Sequence, residues 1–104
     1  MNRISRHQIP LINALVQKAG IEIDLQSLEV EEMDDGGMGG LRFSTSKEAS
    51  KFGESVAEVS FKDTDSVSVS AALFPDQYGQ LFELDIFKAD FSKLQKWPNK
   101  IECS

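Results

Sequence analysis

Cysteine is all but missing from this chain, with Cys103 alone near the carboxyl end. No intrachain disulfide can form and no multi-cysteine metal site can be built, so the core must hold by packing. Histidine is equally scarce. His7 is the single one, no serine sits in a G-x-S-x-G elbow, and nucleophilic catalysis is left without an evident base. His7 therefore reads as a surface residue and Cys103 as an unreactive one. Long apolar runs are also missing. None approaches the roughly 20 residues that a membrane helix needs, and the opening MNRISRHQIP has no apolar stretch behind its basic residues. The expectation is a cytoplasmic domain with no membrane attachment. Positive charge is in short supply too: 11 Lys and Arg stand against 17 Asp and Glu, for a formal charge of −6. A field of that sign repels phosphate backbones, which disfavours nucleic acid as a direct partner, so none is expected, and suits a basic protein partner or plain solubility.

What is present is the composition of an ordinary globular protein. The 104 residues are 40% hydrophobic and 27% charged, enough for one domain over residues 1–104 with a single core. Ile9, Ile12, Leu15, Val16 and Ala19 recur at the spacing of one helix face, predicting a helix from about Ser5 to Ala19. Ser5 and Gln8 have capping-box spacing, Pro10 would also suit a start at Ile9, and Gly20 supplies the left-handed end. Strands are predicted over Leu28 to Met33, with Leu28 and Val30 inward, and over Leu41 to Thr45. Lys47 to Phe52 reads as a helical turn. From Glu54 the pattern is strand, turn, strand, turn, strand. Ala57, Val59 and Phe61 alternate on the first; Val67, Val69, Ala71 and Leu73 alternate with serines on the second; Phe82, Leu84 and Ile86 alternate with Glu83 and Asp85 on the third. Asp63-Thr64-Asp65 and Pro75 to Gly79 make the turns. The fold class is α+β, an N-terminal helix packed on an antiparallel β-meander of about five strands. Phe91, Leu94, Trp97 and Ile101 have helix-like spacing broken by Pro98, and this tail is expected to dock as a short turn over the far face of the sheet. A second copy of the chain is the other way to cover that face, giving a homodimer.

Two groups of residues invite a chemical reading. Asp34-Asp35-Gly36-Gly37-Met38-Gly39-Gly40 frees backbone amides that could cradle phosphate, but no Lys-Ser or Lys-Thr follows and two aspartates guard its mouth, so it reads as a turn or a partner-binding loop. Glu83 and Asp85, two apart on a strand, share a face and could chelate a hard cation or act as an acid and base pair. Their plainer reading is a solvated sheet surface. No motif requires a cofactor or a resident metal.

Met33-Asp34-Asp35-Gly36-Gly37-Met38-Gly39 and Glu83-Leu84-Asp85-Ile86-Phe87-Lys88-Ala89-Asp90-Phe91 resemble the signatures of an uncharacterised family of small bacterial domains. In that family a helix leads into a D-G-G-M-G loop and the chain closes on an E-L-D-hydrophobic-aromatic-K-x-D-F strand. The likeness runs from about Leu11 to Trp97, implies a single-domain fold and a bacterial source, and implies that loop and strand belong together. It carries no reaction. In size and acidity the chain is also similar to mobile gene-cassette products and to immunity proteins that neutralise toxins. The expectation is a non-enzymatic binding module that meets a basic protein through Asp34, Asp35, Met38, Glu83 and Asp85. The alternatives are an enzyme using the same carboxylates with a small ligand or divalent metal, and a structural homodimer.

Overall fold

The computed structural model describes residues 2–25, 28–33, 39–43 and 50–98. Its helical segment opens at Ser5, whose N–H donates to Gln8 Oε1 at 2.9 Å while its carbonyl accepts from Gln8 N–H at 2.9 Å. This pairing winds Arg6–Gln8 into one 3-10 turn, and helix α1 follows over Ile9–Ala19. Both readings of Pro10 are reconciled: it lies in the first turn of α1, where the backbone needs no intrahelical donor. Gly20 ends the helix at φ 74°, with its N–H on Gln17 O and Ile21 N–H on Val16 O. The buried stripe is Leu11, Ile12, Leu15 and Val16. Burial of each such side chain is worth about 1.5–3 kcal/mol, which makes this stripe the main anchor of α1 on the sheet.

Among the described residues six strands form one antiparallel sheet: β1 (Asn2–Arg3), β2 (Glu29–Glu32), β3 (Leu41–Arg42), β4 (Ala57–Lys62), β5 (Ser68–Pro75) and β6 (Leu81–Lys88). Their order is β1-β2-β3-β6-β5-β4, so two consecutive antiparallel runs join where β3 pairs with β6. The fold is α+β. Val30, Leu41, Val59, Val69, Leu73 and Leu84 face α1 in one apolar cluster, and Leu28 packs partly buried against it. Ser68 and Ser70 lie exposed on the opposite face, where the period of two places them.

Three expectations need correction. Phe82 is buried but stands outside the core cluster. Phe74 pairs with Glu83 and Pro75 with Leu81, so Phe82 is the extra residue of a bulge; the bulge turns Leu81 toward the core, and the Arg42 guanidinium lies 5.2 Å from the Phe82 ring centroid. The tail does not cover the far face. Leu94 and Trp97 pack against the core cluster, and Trp97 meets His7 edge-on at 6.1 Å, so the tail joins the helix side of the sheet. Lastly, Lys51 forms a β-bridge with Asp76, and Phe52 N–H donates to Pro75 O at 3.0 Å, which replaces the expected helical turn at that end. Thr45, Lys47, Ile101 and Cys103 lie outside the described residues.

Candidate functional site

Along β6 the period of two directs Glu83 and Asp85 to the outer face of the sheet, away from α1. They do share that face, as expected, but a cation lies between them. The bridge to Asp76 brings Lys51 alongside β5 and β6, and Ser50 N–H steadies it by donating to Gln77 Oε1 at 2.8 Å. Lys51 Nζ reaches Asp85 Oδ2 at 2.8 Å, forms an ion pair with Glu83 Oε2, and lies 4.4 Å from the Phe74 ring centroid. Burial lowers the Lys51 pKa, but the two carboxylates outweigh it and the net shift is upward. For Glu83, burial is the largest influence and raises its pKa; Asp85 adds to the rise and Lys51 opposes it. A divalent cation at this pair would have to displace Lys51. Among the described residues, no group of three or more His, Cys, Asp or Glu side chains is placed to hold a metal ion.

A second charged cluster has a structural role. Lys88 follows Leu84 and Ile86 on the inner side of β6, and its side chain is fully buried. Its ammonium donates to Asp63 Oδ2 at 2.8 Å, Asp65 Oδ2 at 2.7 Å and Lys93 O at 3.1 Å, which uses all three donors. Asp63 in turn accepts from the N–H groups of Gln95 (2.7 Å), Lys96 (3.1 Å) and Thr64 (2.7 Å). Burial raises the Asp63 pKa, but these donors and Lys88 outweigh it and hold the carboxyl at about 2. Asp90 caps the start of the tail by accepting from Ser92 N–H and Oγ–H. The lysine of the K-x-D-F motif thus binds the tail to the β4–β5 turn, while its aspartate shapes the start of the tail.

The two sequence signatures meet inside the molecule. A Cβ on Gly39 would lie 3.2 Å from Leu94 Cδ2 and 3.4 Å from both Ile86 Cδ1 and Trp97 Cζ2, and its φ is 99°. The end of the glycine loop is therefore a packing position under the tail. Asp34, Asp35 and Met38 lie outside the described residues. Beside Gly39 a cleft of about 180 Å³ is lined by His7, Glu32, Met33, Leu94 and Trp97 among others. That is smaller than the usual small-molecule site of about 300–1,000 Å³.

Sequence reasoning missed Lys51, which reaches Asp85 across 34 residues of chain. It also missed the exposed aromatic pair next to Asp85. Phe87 is 48% exposed and Phe91 70%, with ring centroids 5.2 Å apart in an edge-to-face contact. Phe91 is held at φ 62°, a conformation in which a bulky side chain is rare. Phe87 was readable as outward-facing, whereas the placement of Phe91 depends on a backbone turn with no residue signature.

No helix among the described residues is long and apolar enough to cross a membrane. No curated protein and no solved structure matches this chain. A family model does match, over residues 1–98, and agrees with the resemblance to an uncharacterised domain. The chain belongs to DUF6984, a family described as a domain of unknown function.

Proposed function

We propose that this protein is a non-enzymatic protein-binding module that presents the outer face of its sheet to a basic partner. The observation that carries the reading is the exposed Phe87–Phe91 pair, next along the strand from Asp85 on that face. Large exposed aromatics beside fixed charges are the usual anchors of a protein interface, and a phenylalanine kept at positive φ works against stability where glycine would not. Lys51 is shared by Glu83 and Asp85 and offsets one of the two negative charges, so the local excess is small. The preference for a basic partner therefore rests on the chain's net −6, which would speed encounter at long range.

The test combines Phe91→Gly with Phe87→Ser. Phe91→Gly relieves the positive-φ conformation and loses one ring contact, so the melting temperature should hold or rise. Partner capture by the tagged double variant should fall about tenfold or more, as expected when interface anchors are truncated. Capture equal to wild type by a variant with a native melting profile would contradict the proposal.

A further inference from the structure

Strand β4 is an outer strand of the sheet, and among the described residues no strand pairs with the far side of Ala57–Lys62. Its pairing with β5 includes Val59↔Ala71 and Phe61↔Val69, and the next residue pair is bonded as Asp63 N–H to Val67 O. By the antiparallel alternation, the backbone groups of the odd residues point to β5 and those of Glu58, Ser60 and Lys62 point out of the sheet. Their side chains are exposed. The sequence of this edge is self-complementary. Laid antiparallel on itself about Ser60, it pairs Glu58 with Lys62 of a second copy and Lys62 with that copy's Glu58. The outward N–H and C=O groups of all three residues then meet in hydrogen-bonded register. On the helix side the same register sets Val59 against Phe61 of the second copy.

We infer that β4 is a homodimerisation edge at which two copies join their sheets about a two-fold axis through Ser60. A groove lies beyond the Glu58 end of the strand. It has a volume of about 680 Å³ and is lined by Lys18, Ser55, Val56 and Glu58 among others. The register ends at Glu58, because the Val56 N–H donates into the sheet, to Leu73 O at 2.8 Å, so the paired edge is Glu58–Lys62. In the single chain Lys18 Nζ donates to Glu58 O at 2.7 Å and so plugs one outward carbonyl. An exposed ammonium on a flexible stem is displaced at small cost. This surface is separate from the Phe87–Phe91 pair, so the dimer and the proposed binding activity stand or fall independently.

Sedimentation equilibrium over a concentration series, with circular dichroism to verify folding, tests the dimer. Wild type should show a reversible monomer–dimer equilibrium. Glu58→Lys places like charges across both symmetric pairs and should weaken the dimer about tenfold. Adding Lys62→Glu restores opposite charges and should return the affinity to within about twofold of wild type. A monomer throughout the series would overturn the inference. So would a dimer indifferent to Glu58→Lys, which would place self-association on another surface, the outer sheet face included.

Discussion

At Asp63 and Lys88 two opposite charges leave water together, and each remains charged because the other is in contact. Removing one of them strands its partner. Asp63→Asn should therefore lower stability by about 3 kcal/mol in urea unfolding, the range for breaking a buried pair. The same contact has a pH signature. The Asp63 carboxyl has an ordinary value of 3.8 and is held at about 2 in the fold. Stability from a carboxyl depressed by folding is present above the unfolded value and lost as pH falls through the folded one. Wild-type stability should decline between about pH 4 and pH 2, and the decline should be shallower in Asp63→Asn. Glu83 has the opposite sign: its raised pKa means that the fold disfavours the ionised form. Glu83→Gln should leave the melting temperature at pH 7 equal or slightly higher, the pattern of a residue kept for something other than stability. Part of this was legible from sequence. Lys88 stands in phase with Leu84 and Ile86, and a lysine in a core stripe signals a buried partner. Which carboxylates would reach it was not legible, because that depends on how the β4–β5 turn folds over the strand end.

Among the elements, the tail is the least conventional, since Leu94 and Trp97 complete the core without belonging to a helix or strand. Its docking depends on the close approach at Gly39. Gly39→Ala adds a Cβ to a residue at φ 99° with Leu94 Cδ2 3.2 Å away, and should cost about 1–3 kcal/mol. Amide hydrogen exchange should show the loss first in the N–H groups of Gln95 and Lys96, which Asp63 holds. The long strands β4, β5 and β6 were readable because strict alternation over six to eight residues has few competing explanations. The bulge at Phe82 was not, because one inserted residue shifts the phase without changing composition. Nor was the side of the sheet that the tail covers: aromatic spacing shows that a segment is amphipathic and leaves its docking surface open.

For the whole molecule, the sequence's acidic balance remains the clearest clue to a partner, while the structure moves the local emphasis from carboxylates to aromatics. Glu83 and Asp85 share Lys51, which offsets one of their two charges, and Phe87 with Phe91 supplies the apolar contact beside them. On the proposed function long-range charge governs encounter, and association should slow as salt rises toward the point where the Debye length is about 3 Å, near 1 M. Dissociation, set by the aromatic contact, should change little. The most direct measurement is in-cell photo-crosslinking from an unnatural amino acid at Ser70, on the outer sheet face, compared with the same group at Gln17, on the exposed side of α1. The account predicts a discrete adduct with another protein from Ser70 and none from Gln17. Adducts of equal yield from both positions, or none from Ser70 while Gln17 reacts, would contradict it.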